Sequence, residues 1–339
     1  MGCRVGDDVV MDAVLGGGRR RIRLVVLLSE MQALFTGDEV AGVVDLAVAA
    51  ETIGYDAVFM GEHIVMGPSA AADGVPPNLH APLRPRGIPP NMPWLEPLTT
   101  LAVVAGATTT IGLGTAILIA PLRPAVLTAK IVHTLDVLAN GRLELGVGVS
   151  WQTEEYGALG VPFAQRGRIL DDALNAWSVL ADPGPVSLVS ETVSFEGLHL
   201  EPRSPQPGGP PIWFGGAFGK RMIRRVVQHG RGLAPLPRAS SDDLSTLADA
   251  MIGAGRNPNE LDLITGIRPK FDNTVGPADL AASLADVPSL VELGYTTFVL
   301  WPGAFAAHRD ELGDILALAH DNFRRLTAGA ASVAIPQPL

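Results

Sequence analysis

Residues 111–149 read IGLGTAILIAPLRPAVLTAKIVHTLDVLANGRLELGVGV, and the stretch holds one complete strand–helix–strand unit. Ile111–Ile119 and Arg142–Val149 are short apolar runs of the kind shown by strands buried on both faces of a parallel sheet. Between them Pro124 suits a first helical turn, Leu127, Ile131, Leu135 and Leu138 form an apolar stripe at three- and four-residue steps, and Asn140-Gly141 ends the run.

The pattern repeats outward in both directions. Further strands are expected at Ile22–Leu28, Ala57–Gly61, Pro211–Gly215, Gly232–Leu236, Leu261–Ile267 and Thr296–Trp301, which makes eight. Asp38 can cap a helix that carries Val40, Val43, Val44 and Ala47 and stops at Gly54. Other helices are expected at 97–108, 164–180, 217–229, 241–254, 277–293 and 308–326. Eight alternating units in 339 residues point to the α/β class and a (β/α)8 barrel, since no Gly-x-Gly-x-x-Gly opens a helix after the first strand. Residues 1–20 read as an N-terminal extension, 21–328 as the barrel and 329–339 as a tail. Two connections are long and rich in Pro: Ile64–Trp94 after the second strand and Asp182–Gly209 before the fifth. The first follows a strand directly, so it belongs to the C-terminal face and is expected to act as a lid.

Composition narrows the partners. With 25 Lys+Arg against 35 Asp+Glu the net charge is −10, which argues against nucleic acid, and the basic stretch Arg19–Arg23 reads as a solvated start of chain. Hydrophobic residues make up 47% and charged ones 18%, below the roughly 25% of an average domain, which leaves apolar surface for one large core. Runs such as Ala116–Leu122 fall far short of the roughly 20 apolar residues that span a bilayer. Arg19–Leu28 is too brief and too interrupted for a secretory core, so no membrane and a cytoplasmic location are expected. The single cysteine, Cys3, cannot form an internal disulfide, and the seven histidines lack metal-ligand spacing.

In a barrel the chemistry is carried at the C-terminal ends of strands. The second ends Met60-Gly61-Glu62-His63, where His63 is either a proton donor and acceptor near neutral pH or a hydrogen-bonded structural group. The third carries Gly112-Leu113-Gly114-Thr115-Ala116-Ile117, whose small residues either admit a flat ligand or serve packing. The fourth ends Gly146-Val147-Gly148-Val149-Ser150-Trp151. The fifth ends Phe214-Gly215-Gly216-Ala217-Phe218 and runs into a helix, an arrangement of backbone amides suited to a phosphate. Glu154 and Glu155 read either as an acid and base or as a solvated helix start, the second favoured because no matching carboxylate stands out near a facing strand end.

Several blocks together are specific in order and spacing: Pro97-Leu98-Thr99-Thr100-Leu101, Gly112-Leu113-Gly114-Thr115, the run Leu135–Gly148, Trp151, Glu155–Phe163, Arg166-Gly167-Arg168 and Pro211-Ile212-Trp213-Phe214-Gly215-Gly216. Over about residues 22–236 they resemble the luciferase-like flavin and deazaflavin oxidoreductase family, and within it the actinobacterial-type branch dependent on coenzyme F420. The resemblance implies that coenzyme F420, or alternatively FMN, binds in the mouth of the barrel. Its phosphate would lie at Gly215, Gly216 and Ala217, and the rest along Thr115, Ala116, Ile117, Gly148, Val149 and Ser150. It further implies a catalytic pair of His63 and Glu62 near the reactive ring carbon, and a cis peptide in a third-strand bulge, here Ala116–Ile117. A hydride would pass between F420 and a small organic substrate. The alternative is an FMN-dependent monooxygenase that uses oxygen and is supplied by a separate flavin or F420 reductase; a homodimer is expected in either case. The chain departs from the family pattern at three places. Val149 stands where the luciferase branch has a phosphate-binding arginine, Gly230-Arg231-Gly232-Leu233 where relatives read Gly-Asp-Gly-Trp, and Glu62 where aspartate is commoner. The second departure tells against the usual pocket at the sixth strand.

Overall fold

The eight apolar runs become the staves of a closed parallel barrel in the computed structural model, which describes residues 21–329 apart from positions 32–33, 36, 76, 79, 83–86 and 273–274. They are β1 (Arg23–Leu27), β2 (Ala57–Met60), β3 (Gly112–Ile119), β4 (Leu143–Gly148), β7 (Ile212–Gly216), β8 (Gly230–Pro235), β9 (Asp262–Gly266) and β10 (Thr297–Leu300). Each pairs with its predecessor in this series and β10 returns to β1, so that Val25 faces Ala57 on one side and Val299 on the other. Cys3, the rest of the N-terminal extension and residues 330–339 of the tail lie outside the described residues.

β5 (Val186–Val189) and β6 (Ser194–Leu198) form an antiparallel hairpin inside the 182–209 connection, where sequence reading expects a loop. Alternation of half-buried Val186 and Leu188 with exposed Ser187 and Val189 is the strand signal, but four residues of it are too few to separate from a loop.

The barrel interior is filled in an uneven way. Phe59 and Trp213 stack across it at 5.6 Å and 29°, and the facing strands make room for them with glycine. A Cβ on Gly114 would stand 2.5 Å from the Phe59 ring, and one on Gly146 would stand 2.2 Å from both the Trp213 ring and the Thr115 carbonyl. Of the two readings of the third strand's small residues, Gly114 therefore serves packing. At the floor Arg23, only 19% exposed, pairs with Glu144 and lies 3.9 Å from Asp262. It is thus a half-buried plug and not part of a solvated start; Arg21, 72% exposed and paired with Asp56, fits that expectation, and Arg19 and Arg20 lie outside the described residues.

The helices pack outside. α1 (Val43–Ile53) follows a 3-10 turn over Gly37–Gly42, so the α-helix begins later than Asp38, and it ends at Gly54 with φ 102°. α2 (Pro97–Ala107) is capped by the Glu96 carboxylate, which accepts the Thr99 N–H at 2.6 Å. α3 (Ala125–Leu138) departs from its expected stripe: Leu135 is buried, but Leu127, Ile131 and Leu138 are 55%, 38% and 64% exposed. Two apolar stripes share this helix, and the one with smaller side chains, Ala125, Thr128, Ala129 and Val132, turns inward because it lets the helix lie closer to its neighbours.

α4 (Thr153–Ala158), α5 (Arg166–Ala181), α6 (Lys220–His229) and α7 (Ser241–Gly253) follow, the last with a reciprocal capping box between Ser240 and Asp243. The helix expected over 277–293 is two, α8 (Leu280–Leu284) and α9 (Val287–Glu292). Pro288 lacks the N–H needed to continue a helix and is suited to open one. α10 (Leu312–Thr327) closes the fold.

Candidate active site

β4 stops at Gly148 and the chain turns sharply, with Ser150 at φ 55°, into the short α4. That turn delivers Glu155, fully buried, to the loop after β2. Its Oε2 lies 3.2 Å from His63 Nδ1 and its Oε1 accepts the Ile64 N–H at 2.7 Å. With Nδ1 turned to the carboxylate, Nε2 is the free nitrogen of the ring. Trp94 and Trp151 meet the imidazole edge-on, with centroids at 4.9 and 6.0 Å.

The neighbouring Glu154 accepts the Ser69 N–H at 3.0 Å and its Oγ–H at 2.7 Å, bonds that hold this carboxyl down at about 2. The pair expected to be a solvated helix start instead clasps the long connection after β2: one carboxylate orients His63 and the other fixes Ser69. That connection also reaches the opposite rim, where Asn78 Nδ2 donates to the Gly276 carbonyl at 3.0 Å and His80 Nδ1 lies 2.9 Å from the Gly303 carbonyl.

Glu62 and His63 are adjacent in sequence but serve different partners. The buried Glu62 pairs with Arg123, and its Oε2 accepts the Ile119 N–H at 2.5 Å; Arg123 also bonds Glu96 at 2.6 Å. Burial pushes the Glu62 carboxyl up, opposed by Arg123. Glu62 thus ties the β2 loop to the end of β3, and Arg123 is a contributor that sequence reading did not single out.

Glu30 is another. It follows β1 at φ 64°, a conformation uncommon for residues other than glycine. Its carbonyl accepts the Trp301 Nε1–H at 2.7 Å. Burial pushes its carboxyl up to about 7, with His63 pulling the other way. A carboxyl immediately after a strand that ends in the mouth was the available signal.

The third-strand bulge is present: pairing of β3 with β4 slips between Thr115 and Leu118, and the Ala116–Ile117 peptide is cis. Thr115 is fully buried and donates to the Gly146 carbonyl at 2.8 Å, so its hydroxyl is spent within the barrel. The Ile117 side chain reaches across two neighbouring staves, since a Cβ on Gly148 or Gly215 would fall 2.5 or 2.7 Å from it. Ala116, Ile117, Gly148 and Gly215 are therefore brought to one place. The Val149 carbonyl accepts the Tyr156 hydroxyl, and Ser150 Oγ lies 3.5 Å from Glu155.

Beyond β7 the chain turns through Gly216 at φ 133° and Gly219 at φ 158° into α6. No heavy atom stands within 4 Å of a Cβ built on Gly216. The turn opens on a cavity of about 520 Å³ that Gly148, Val149, Gly215, Gly216 and Ala217 also line. The residues present fit a flat, phosphate-bearing cofactor in three respects. There is an open glycine turn at a helix N-terminus, an aliphatic platform at Ile117, and a carboxylate-oriented histidine on the same face of the barrel. Leu233, in contrast, is fully buried in the layer between barrel and helices, so that departure from the family pattern changes core packing and not the mouth. Among the described residues no group of three or more His, Cys, Asp and Glu is placed to hold a metal ion.

The family profile described as luciferase-like monooxygenase matches residues 23–286. The chain belongs to this family. Luciferase-like enzymes are F420- or flavin-dependent oxidoreductases and monooxygenases. An uncharacterized protein of Mycobacterium tuberculosis is 27% identical over 256 residues, 74% of this chain and 88% of its own length. The monooxygenase RslO1 from Streptomyces bottropensis superimposes with a TM-score of 0.69 at 17% identity, covering 90% of this chain and 99% of its own. An F420-dependent secondary alcohol dehydrogenase solved with an F420–acetone adduct gives 0.66 at 14% identity, with the same coverage. These two structures share the fold. Among the described residues no helix is long and apolar enough to cross a membrane.

Proposed function

We propose that the protein is an F420-dependent oxidoreductase of the cytoplasm that moves a hydride between the deazaflavin and a small carbonyl-bearing or unsaturated organic molecule. The observation that carries this reading is the His63–Glu155 pair after β2, on the same C-terminal face of the barrel as the open glycine turn after β7. When bound, the deazaflavin supplies or accepts the hydride. Gly215, Gly216 and Ala217 would hold its phosphate, and Ala116, Ile117, Gly148, Val149 and Ser150 would flank the remainder.

Proton movement falls to the protein. Glu155 accepts the His63 Nδ1–H and fixes the ring, which leaves Nε2 as the nitrogen that would give a proton to an oxygen that gains negative charge as hydride arrives. In the opposite direction neutral Nε2 takes the proton from an alcohol. Glu62 is a positioning residue, because its carboxylate is engaged by Arg123 and the Ile119 amide. Trp94 and Trp151 would exclude water from the ring of His63. A second copy of the chain is the proposed cover for the exposed face made by Leu127, Ile131 and Leu138 with Val103 of α2.

Purified protein mixed with reduced F420 and a panel of ketones and enones tests the proposal. Substrate-dependent return of the oxidised deazaflavin absorbance without oxygen supports it. Oxygen uptake with reduced FMN instead supports the alternative, an FMN-dependent monooxygenase fed by a separate reductase.

A further inference from the structure

The cavity at the glycine turn continues outward between α5 and α6, and its charge is opposite to that of the chain. It is lined by Arg166, Arg168, Arg221, Arg224 and Arg225 against one carboxylate, Asp171, a local surplus of four positive charges on a protein with a net charge of −10. Clustered like charge in a cleft is costly unless a counter-charge is held there. Two of the five are spoken for: Arg224 and Arg225 both pair with Asp171, and Arg225 also donates to the Gly167 carbonyl at 2.9 Å. The other three are not engaged by Asp171. Arg166 donates to the Phe163 carbonyl from Nη1 and stacks 3.8 Å over the Phe163 ring, yet its Nε is buried with no partner. Arg168 makes one exposed pair with Glu191 at 3.1 Å, and Arg221 has no ion pair among the described residues.

A phosphate at Gly215–Ala217 accounts for the turn but not for the arginines further out. FMN ends at its phosphate. The deazaflavin continues through a phosphodiester into a chain of glutamates, each with a free carboxylate. We infer that the α5–α6 cleft is a site for this polyanionic tail, with Arg166, Arg168 and Arg221 as its ligands. The inference rests on the deazaflavin reading above and adds to it a determinant of cofactor choice that lies away from the reacting ring. Guanidinium groups match carboxylates in shape, and the rigid pairs at Asp171 hold the wall of the cleft in place.

The test is a fluorescence titration of the full chain with two probes: F420 bearing several glutamates, and the deazaflavin riboside that lacks phosphate and tail. F420 is expected to bind at least about tenfold more tightly. Arg221→Gln and Arg168→Gln are each expected to weaken F420 by about three- to tenfold and their combination by more, while riboside binding stays within about twofold. Added salt should erode the F420 advantage and leave the riboside unchanged. Riboside binding with no gain from the tail, or variants that weaken both probes equally, would overturn the tail site alone. Failure of both probes to bind would overturn the deazaflavin reading itself. Unchanged melting temperatures of the variants keep a folding defect from being mistaken for lost binding.

Discussion

Glu155 Oε2 lies 3.2 Å from His63 Nδ1, although the two residues are 92 positions apart and sit on the loops after different staves of the barrel. The carboxylate is fully buried and its second oxygen takes the Ile64 N–H, so it fixes both the ring and the loop that carries it. A histidine held in this way has one nitrogen assigned and one free.

Replacing His63 with Ala is expected to lower turnover by about 10²- to 10⁴-fold, the usual range for a lost acid–base group, with cofactor affinity changed little. Glu155→Gln keeps the shape but leaves one of the two bonds, to His63 Nδ1 or to the Ile64 N–H, facing the amide NH₂. Turnover should fall by about tenfold or more, with KM affected less. Steady-state rates and cofactor titrations on the same preparations check both. Equal turnover in His63→Ala removes the residue from the reaction.

Glu30 gives a signed dependence of stability on pH. Its folded-state pKa of about 7 lies above the ordinary 4.5. The folded state therefore holds this proton more tightly, and the associated stability is full below pH 4.5 and lost as pH rises through 7. At pH 8 the ionised, half-buried carboxylate costs at most about 3 kcal/mol, less to the extent that water screens it. Glu30→Gln should raise the melting temperature at pH 8, leave it nearly unchanged at pH 4, and flatten the curve between. Parallel curves for the two proteins would show that Glu30 titrates normally.

Packing inside the barrel can be tested at Gly114. A methyl there collides with Phe59 at 2.5 Å, and Gly114→Ala is expected to cost about 1–3 kcal/mol in a denaturant titration. Adding Phe59→Leu should recover part of the loss, because the smaller side chain vacates that space. Gly146→Ala should be worse and should not be rescued so simply, since its methyl also meets the Thr115 carbonyl at 2.2 Å.

On α3, Leu127→Glu with Ile131→Glu is expected to convert the proposed dimer to monomer in sedimentation or light scattering without unfolding it, because both side chains are exposed in the single chain. A dimer that survives both charges would place the interface elsewhere.

The staves of the barrel were legible because strands buried on both faces are written as continuous apolar runs, as in Leu24-Val25-Val26-Leu27-Leu28. The glycine turn at Gly215-Gly216 was legible for a similar reason: a strand end, two glycines and a helix start are local features. The partner of His63 was not. Glu154-Glu155 has the composition of any solvated first turn, and only the closure of the barrel brings it against Ile64 and Ser69. Glu30 was hidden in the same way, since its burial comes from surrounding loops. On α3 the helical period was correct, but two apolar stripes satisfied it and their size, not their spacing, decided which faced inward.

The central claim is that this mouth is built for a deazaflavin. A paired equilibrium titration of the purified protein with coenzyme F420 and with FMN, following cofactor fluorescence, tests it most directly. The account predicts low-micromolar F420 binding at least about tenfold tighter than FMN. FMN binding as tight as or tighter than F420 would contradict it and assign the chain to the flavin monooxygenases.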